Sequence, residues 1–362
     1  MSEPKTWHLD NGVVAIGVFE IGGQIGPARF RFGEEQFEPL HEAPWVNEAG
    51  AADIPMLQHL RGDFFCAPFG ANDLLVEEGR DHGLTANGRW RELEHGSERL
   101  LLELAGRVAG AKVLKEVRLE PGQPVVYQRH TFEGGAGELP MGHHTMLRVP
   151  PGEQLLLSFS PFSWAGTPPH PVESDPERGR SLLEYPQEFE SLERVALAAG
   201  GTVDLSRYPT LEGSEEILLL ASDPRLEFAW SAAVAPESGW LWFALRPNRV
   251  LRSTLLWLSN AGRYYPPFSG RHSRVLGVEE VTSFFHHGHV ASTGPNRLER
   301  LGVPTSVRLS AGSATIIDYA FGVVPLPPGF AKVASLERED AHLLLADGLG
   351  RELRVPFSAR WP

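Results

Sequence analysis

Two adjacent glutamates, Glu279 and Glu280, stand inside an otherwise apolar run, Leu276-Gly277-Val278-Glu279-Glu280-Val281-Thr282-Ser283-Phe284-Phe285. The β-branched and aromatic residues around them read as a strand entering the protein interior. A carboxylate buried without a partner is costly, so each of the two either faces solvent at a strand edge or has a task. Side chains alternate along a strand. That puts Val278, Glu280 and Thr282 on one face and Gly277, Glu279, Val281 and Ser283 on the other. The two carboxylates cannot point the same way.

Histidines are the next candidates. His144 lies in Met141-Gly142-His143-His144-Thr145-Met146-Leu147-Arg148-Val149, at the mouth of a strand, and His82 precedes Gly83. Each is open to a packing role as well as a chemical one. His286, His287 and His289 follow the glutamate strand. His287 and His289 would share a strand face, but no third ligand lies nearby in sequence, so a solvated strand end is expected there and no metal site. A serine nucleophile has no Gly-x-Ser-x-Gly elbow and no strand–helix alternation to host it. No Gly-x-Gly-x-x-Gly opens a helix and no Walker sequence is present, so no cofactor is expected. Cys66, the one cysteine, has Phe65 and Phe69 for neighbours and reads as an inert buried thiol.

The elements that must position these groups are strands. The 362 residues include 38 glycines and 30 prolines with no repeat period, which argues for many short strands joined by turns. Val13–Phe19, Ala28–Phe32, Arg99–Leu104, Ala111–Leu119, Pro124–Phe132, Gln154–Phe159, Ile217–Ala221, Gly239–Leu245 and Ser253–Leu258 all read as strands. Turn signals separate them at intervals of about ten residues, the spacing of antiparallel sheets. Arg61–Gly70 and Asp81–Trp90 lack helical periodicity and read as loops carrying polar side chains over an aromatic floor, as small-ligand sites are lined. One short helix is expected between Pro186 and Ala199. No composition break marks a linker, so residues 1–362 read as one domain of packed antiparallel sheets.

A formal net charge of −13 disfavours an electrostatic grip on nucleic acid or an anionic membrane and suits a small-molecule partner. A single cysteine allows no intrachain disulfide. Met1-Ser2-Glu3-Pro4-Lys5-Thr6 lacks a basic region followed by an apolar run, and no stretch is long and apolar enough to span a bilayer, so a cytoplasmic location is expected. Composition does not set the oligomeric state.

Several segments, in order, resemble the aldose 1-epimerase (galactose mutarotase) superfamily, and most closely its glucose-6-phosphate 1-epimerase-type branch. They are Arg61-Gly62, Pro68-Phe69-Gly70, His82-Gly83, His144-Thr145, Trp257, Pro267-Phe268 and Gly277-Val278-Glu279-Glu280-Val281-Thr282. The order and spacing of the resemblance match over roughly residues 10 to 325. The resemblance implies a mainly β fold, a galactose mutarotase-like β-supersandwich, and a sugar partner. It also implies an isomerase that interconverts anomers of a hexose or related sugar. Glu279 would be the general base and His144 the general acid; Arg61 and His82 would hold sugar hydroxyls or the ring oxygen, with Asp63 a further substrate-binding candidate. Ring opening of a hemiacetal needs a base for the anomeric hydroxyl and an acid for the ring oxygen, and a histidine titrating near neutrality serves in both directions.

The chain departs from the family pattern in three places. Ser214-Glu215-Glu216 stands about where a site aspartate is usual. Met146 replaces an aromatic residue, and Leu84-Thr85 follows His82-Gly83 without the arginine common in the branch. A neutral sugar or sugar acid is therefore preferred over a sugar phosphate. Two alternatives stay open: a non-catalytic carbohydrate-binding protein of the same fold, and a lyase or hydrolase that would need an extra carboxylate or a tyrosine facing the pair, with Tyr264 and Tyr265 the nearby candidates.

Overall fold

The computed structural model describes residues 4–77 and 80–362; part of the Met1 to Thr6 stretch therefore lies outside the described residues. Two antiparallel sheets of ten and nine strands pack against each other. Their shared core takes residues from both, with Val14, Phe30, Leu147, Leu276 and Val278 meeting Leu102, Val113, Phe132, Trp242 and Phe321. A three-stranded sheet, built from Ser335–Glu339, His342–Ala346 and Glu352–Pro356, covers the far side of the nine-stranded sheet. Its Leu336, Leu343, Leu345 and Val355 pack on Val125, Tyr127 and Phe243. No helix among the described residues is long and apolar enough to cross a membrane.

Five neighbouring strands of the ten-stranded sheet carry the chemistry: Asp63–Cys66, Met141–Arg148, Val275–Thr282, Ser253–Asn260 and Ser214–Ser222. The last three are buried at every position. Both faces are covered, one by the second sheet and the other by loops bearing Trp45, Met56, Phe69, Phe268 and Phe285. Strands buried on both faces lose the apolar–polar alternation that marks half-exposed ones. This is why Asp63–Cys66, inside a segment expected to be loop, is a strand: Phe65 joins the core between the sheets while Phe64 and Cys66 face the loops. His144 likewise sits within its strand and not at the mouth. The expected helix between Pro186 and Ala199 is only a 3₁₀ turn, Leu192–Arg194, running into the short strand Val195–Ala196.

The core between the sheets is partly polar. Asp63, fully buried, accepts hydrogen bonds from Gln128 Nε2 (2.6 Å) and Thr145 Oγ1 (2.7 Å), and His143 Nδ1 lies 3.1 Å away. Lys115 Nζ donates to Gln128 Oε1 (3.0 Å), and Tyr319 OH lies 2.8 Å from Thr145 Oγ1. Burial alone would push the Asp63 carboxyl up; His143, Lys115 and Gln128 outweigh it and hold the carboxyl below its ordinary value. Gln128, Lys115 and Tyr319 belong to the nine-stranded sheet, so the network ties the two sheets together at a fixed register.

Candidate active site

The strand alternation decides which groups meet. Glu279 and Glu280 are both buried, not solvated at an edge, and they point to opposite faces. Glu280 turns into the core between the sheets. It pairs there with the Arg246 guanidinium and accepts hydrogen bonds from Ser231 Oγ (2.5 Å) and Thr254 Oγ1 (2.8 Å). Glu279 turns to the loop-covered face, opposite Leu255 on the next strand. On its other side, His144 pairs with Phe64 across the strands and stacks on that ring at 4.6 Å and 18°. His144 Nε2 lies 3.4 Å from Glu279 Oε1. Two residues 135 positions apart in the chain thus meet because their strands are sheet neighbours.

The pair opens on a cavity whose lining includes His82, Trp257, Arg263, Phe268 and His286 together with Met56, Leu57, Leu60, Ile217 and Leu255. Burial pushes Glu279 well above the ordinary carboxylate value, against a downward pull from Arg263. Burial also pushes His144 well below the ordinary histidine value, and His82 pushes the same way. Charge on either group is therefore disfavoured unless the other carries the opposite charge.

Glycine makes room for the carboxylate. Gly277 lies two residues before Glu279 on the same face, and a Cβ there would stand 2.6 Å from Glu279 Oε1 and 2.8 Å from Trp257 Cβ. Gly277→Ala is expected to shift the carboxylate while leaving the strand paired. A misplacement of that kind costs about a hundredfold in turnover. Steady-state kinetics beside a thermal melt would check it, and an alanine variant with unchanged turnover would show that the carboxylate position is not critical.

His82 reaches the cavity from a left-handed backbone position, φ 65°, at the start of the short helix Gly83–Asn87. Its ring centroid is 5.5 Å from that of His144, and Nδ1 lies 3.2 Å from Cys66 Sγ. Burial lowers His82 to about 4. Gly83 follows because a Cβ there would sit 2.0 Å from the Ala67 carbonyl oxygen. Cys66 is buried, and burial pushes its thiol well up.

Arg61 and Asp63 do not line the cavity. The Arg61 guanidinium lies over the Phe19 ring at 4.8 Å, donates from Nε to the His59 carbonyl (3.1 Å) and stands 3.4 Å from Glu42. Asp63 lies behind the sheet in the polar core described above. Gly62 is required for backbone reasons: at φ 50° its Cβ would fall 1.7 Å from the Ile25 carbonyl oxygen. Tyr264 is exposed and Tyr265 OH donates to Glu173 Oε1 (3.0 Å); neither lines the cavity.

Three further groups emerge from the structure. His286 lines the cavity with a buried Nδ1 that has no hydrogen-bond partner among the described residues, and burial lowers it to about 3. His289 Nε2 lies 2.6 Å from the Glu138 carbonyl oxygen, so this histidine cluster is not a solvated strand end. Among the described residues no group of three or more His, Cys, Asp or Glu side chains is placed to hold a metal ion. Arg263 enters from the Pro-aromatic loop, with its guanidinium 4.8 Å from the Phe268 ring and 5.4 Å from that of Trp257. Glu215 accepts from Trp257 Nε1 (2.8 Å) and Ser259 Oγ (2.7 Å), while His272 stacks on the indole at 5.1 Å. Burial raises Glu215 to about 7, with Arg263, Ser259 and Trp257 restraining it. Its Oε2 holds Trp257, whose side chain lines the cavity, and its Oε1 is engaged with Ser259. The one signal for Arg263 was an arginine set among aromatic residues and prolines in Arg263-Tyr264-Tyr265-Pro266-Pro267-Phe268.

No protein-family model and no curated protein sequence matches the chain. Solved structures do. An Escherichia coli K12 protein provisionally assigned as an aldose 1-epimerase superposes with a TM-score of 0.59 at 15% identity, over 89% of this chain and 100% of that one. A galactose mutarotase related enzyme from Lactobacillus acidophilus gives 0.55 at 11% identity, over 90% and 99%. A Klebsiella pneumoniae protein, also provisionally assigned as an aldose 1-epimerase, gives 0.52 at 13% identity, over 86% and 77%. The chain has the galactose mutarotase-like fold, as the sequence resemblance implied.

Proposed function

We propose that the chain, acting as one domain over residues 1–362, is a cytoplasmic aldose 1-epimerase-like isomerase that interconverts the anomers of a hexose or related sugar. The observation that carries this reading is the 3.4 Å approach of His144 Nε2 to Glu279 Oε1 in one cavity that Trp257 and Phe268 also line. Apolar sugar faces stack on aromatic rings, and Trp257 and Phe268 offer such a surface.

The chemistry follows from one proton shared by two groups. In the reactive form Glu279 is ionised and His144 carries the proton. Glu279 takes the proton of the anomeric hydroxyl, the C1–O5 bond breaks, and His144 gives its proton to O5. The C1–C2 bond of the open aldehyde then turns. Reclosure runs with the roles exchanged: His144 deprotonates the C5 hydroxyl and Glu279 protonates the new anomeric oxygen. The cycle restores both groups and needs no other reactant.

Proton count also sets the pH dependence. A second proton neutralises the base, and burial delays it to well below the ordinary histidine value of 6.5. Loss of the single proton removes the acid, and burial delays this to well above the ordinary carboxylate value of 4.5. The expected result is a kcat/KM that shows no rise through 6.5, its acid limb lying well below that value and its alkaline limb well above 4.5. Exchange rates from NMR across the pH range would check it; a rate that climbs through roughly 6.5, as for a solvated histidine, contradicts it.

The direct test is anomer exchange, by polarimetry or magnetisation-transfer NMR, on freshly dissolved sugars. Acceleration of at least one sugar over the buffer rate supports the proposal. Tight binding of a sugar with no acceleration would point to a carbohydrate-binding protein instead.

A further inference from the structure

Arg263 is a cavity-lining cation whose hydrogen-bonding capacity is only partly used. Its Nε donates to Glu173 Oε1 at 2.9 Å, and its Cζ lies 4.8 Å from the Phe268 ring and 5.4 Å from the Trp257 ring. Neither Nη has a protein acceptor in hydrogen-bond reach among the described residues. A guanidinium fixed through Nε and by aromatic contacts presents its remaining donors as a rigid fork.

Two ligand features match such a fork: an anionic group, or two adjacent hydroxyl oxygens. The surroundings discriminate between them. Glu173 is already paired to the guanidinium, Glu215 lies close enough to act on it, and Glu279 faces the same cavity. An anion entering here would compete with Glu173 for the one guanidinium and face Glu279 across the cavity. Much of the remaining wall is aliphatic, with Met56, Leu57, Ile217 and Leu255, and its other histidines, His82 and His286, are held to about 4 and about 3 by burial, so neither offers an anion a cationic partner near neutral pH. Adjacent hydroxyls need donors but no compensating charge.

The geometry points to Arg263 as the substrate-binding residue that grips a vicinal pair of hydroxyls on a neutral pyranose. It fills, from the opposite loop, the role that Arg61 cannot fill from outside the cavity. This inference rests on the sugar reading above and narrows it to uncharged sugars.

The test measures binding by calorimetry or saturation-transfer NMR, and turnover where present. The ligands are D-glucose, D-galactose, their monodeoxy analogues, D-glucuronate and glucose 6-phosphate. The proteins are wild type, Arg263→Met, Arg263→Lys and Arg61→Met, each with a thermal melt. Arg263→Met should weaken the bound neutral hexose about ten- to a hundredfold. Arg263→Lys, which keeps the charge but not the fork, should recover only part of that. In wild type, removing either of two adjacent hydroxyls should weaken binding about tenfold or more, because the fork is left unpaired. In Arg263→Met the same removals should have little further effect.

The inference is overturned if Arg263→Met binds the hexose as wild type does, or if Arg61→Met causes an equal or larger loss. It is overturned equally if wild type prefers glucuronate or the phosphate and Arg263→Met abolishes that preference, or if no neutral sugar binds. If sugars bind as expected but no anomers exchange, the epimerase proposal fails while the Arg263 assignment stands.

Discussion

Glu279→Gln is expected to slow anomer exchange by roughly 10²–10⁴-fold while the protein stays folded. Glutamine keeps the shape of the side chain and cannot accept the anomeric proton. Folding should tolerate the change, and for a physical reason. The Glu279 carboxyl is buried and held well up by desolvation, and the His144 ring lies 3.4 Å from its Oε1. A neutral amide removes that desolvation penalty and leaves no ion stranded. The loss should therefore appear in kcat at nearly unchanged sugar affinity, with a melting temperature at or above that of the wild type. Exchange NMR and a thermal melt on one sample decide the matter; wild-type turnover in the glutamine variant would remove Glu279 from the mechanism.

The neighbouring residue gives the opposite result. Glu280→Ala is expected to destabilise the fold by about 3–5 kcal/mol, because it leaves the Arg246 guanidinium as an uncompensated charge between the sheets. Arg246 and Glu280 are both about 1% exposed, so water cannot screen what is lost. Ser231 and Thr254, which donate to the same carboxylate, lose their acceptor too. Replacing both ions with apolar residues, as in Arg246→Met with Glu280→Leu, should recover much of the loss, since the isolated charge is then absent. Chemical unfolding of the single and double variants measures this. A Glu280→Ala variant as stable as wild type would mean that water or a side-chain shift rescues Arg246. Two adjacent glutamates thus separate into a chemical and a structural role, distinguished by one assay each.

Some of this was legible in the chain. Alternation along a strand already required Glu279 and Glu280 to part, and they do. The ordered motifs pointed to the right fold. Each glycine in them has a steric cause that sequence alone could not supply: Gly62 against Ile25, Gly70 against His286, Gly83 against Ala67, Gly277 against Glu279. The Asp63–Cys66 strand was hidden because its residues are buried on both faces and so show no period. His286 looked solvated because a run of histidines after a strand carries no sign of the cavity wall it joins.

Patterning within short windows settles which face of a strand a side chain takes, and it settled that this chain would build antiparallel sheets. It says nothing about which strands become neighbours when they lie far apart in the chain. Arg61 and Asp63 show the consequence: one turns to Phe19 and Glu42, the other to Gln128 and Thr145, all outside their own strand. Arg263 shows the converse, a loop residue drawn into the cavity by Glu173, Trp257 and Phe268. Whether a polar group serves chemistry or structure depends on the partner that long-range pairing brings to it, and that partner is chosen by the packing of the whole sandwich.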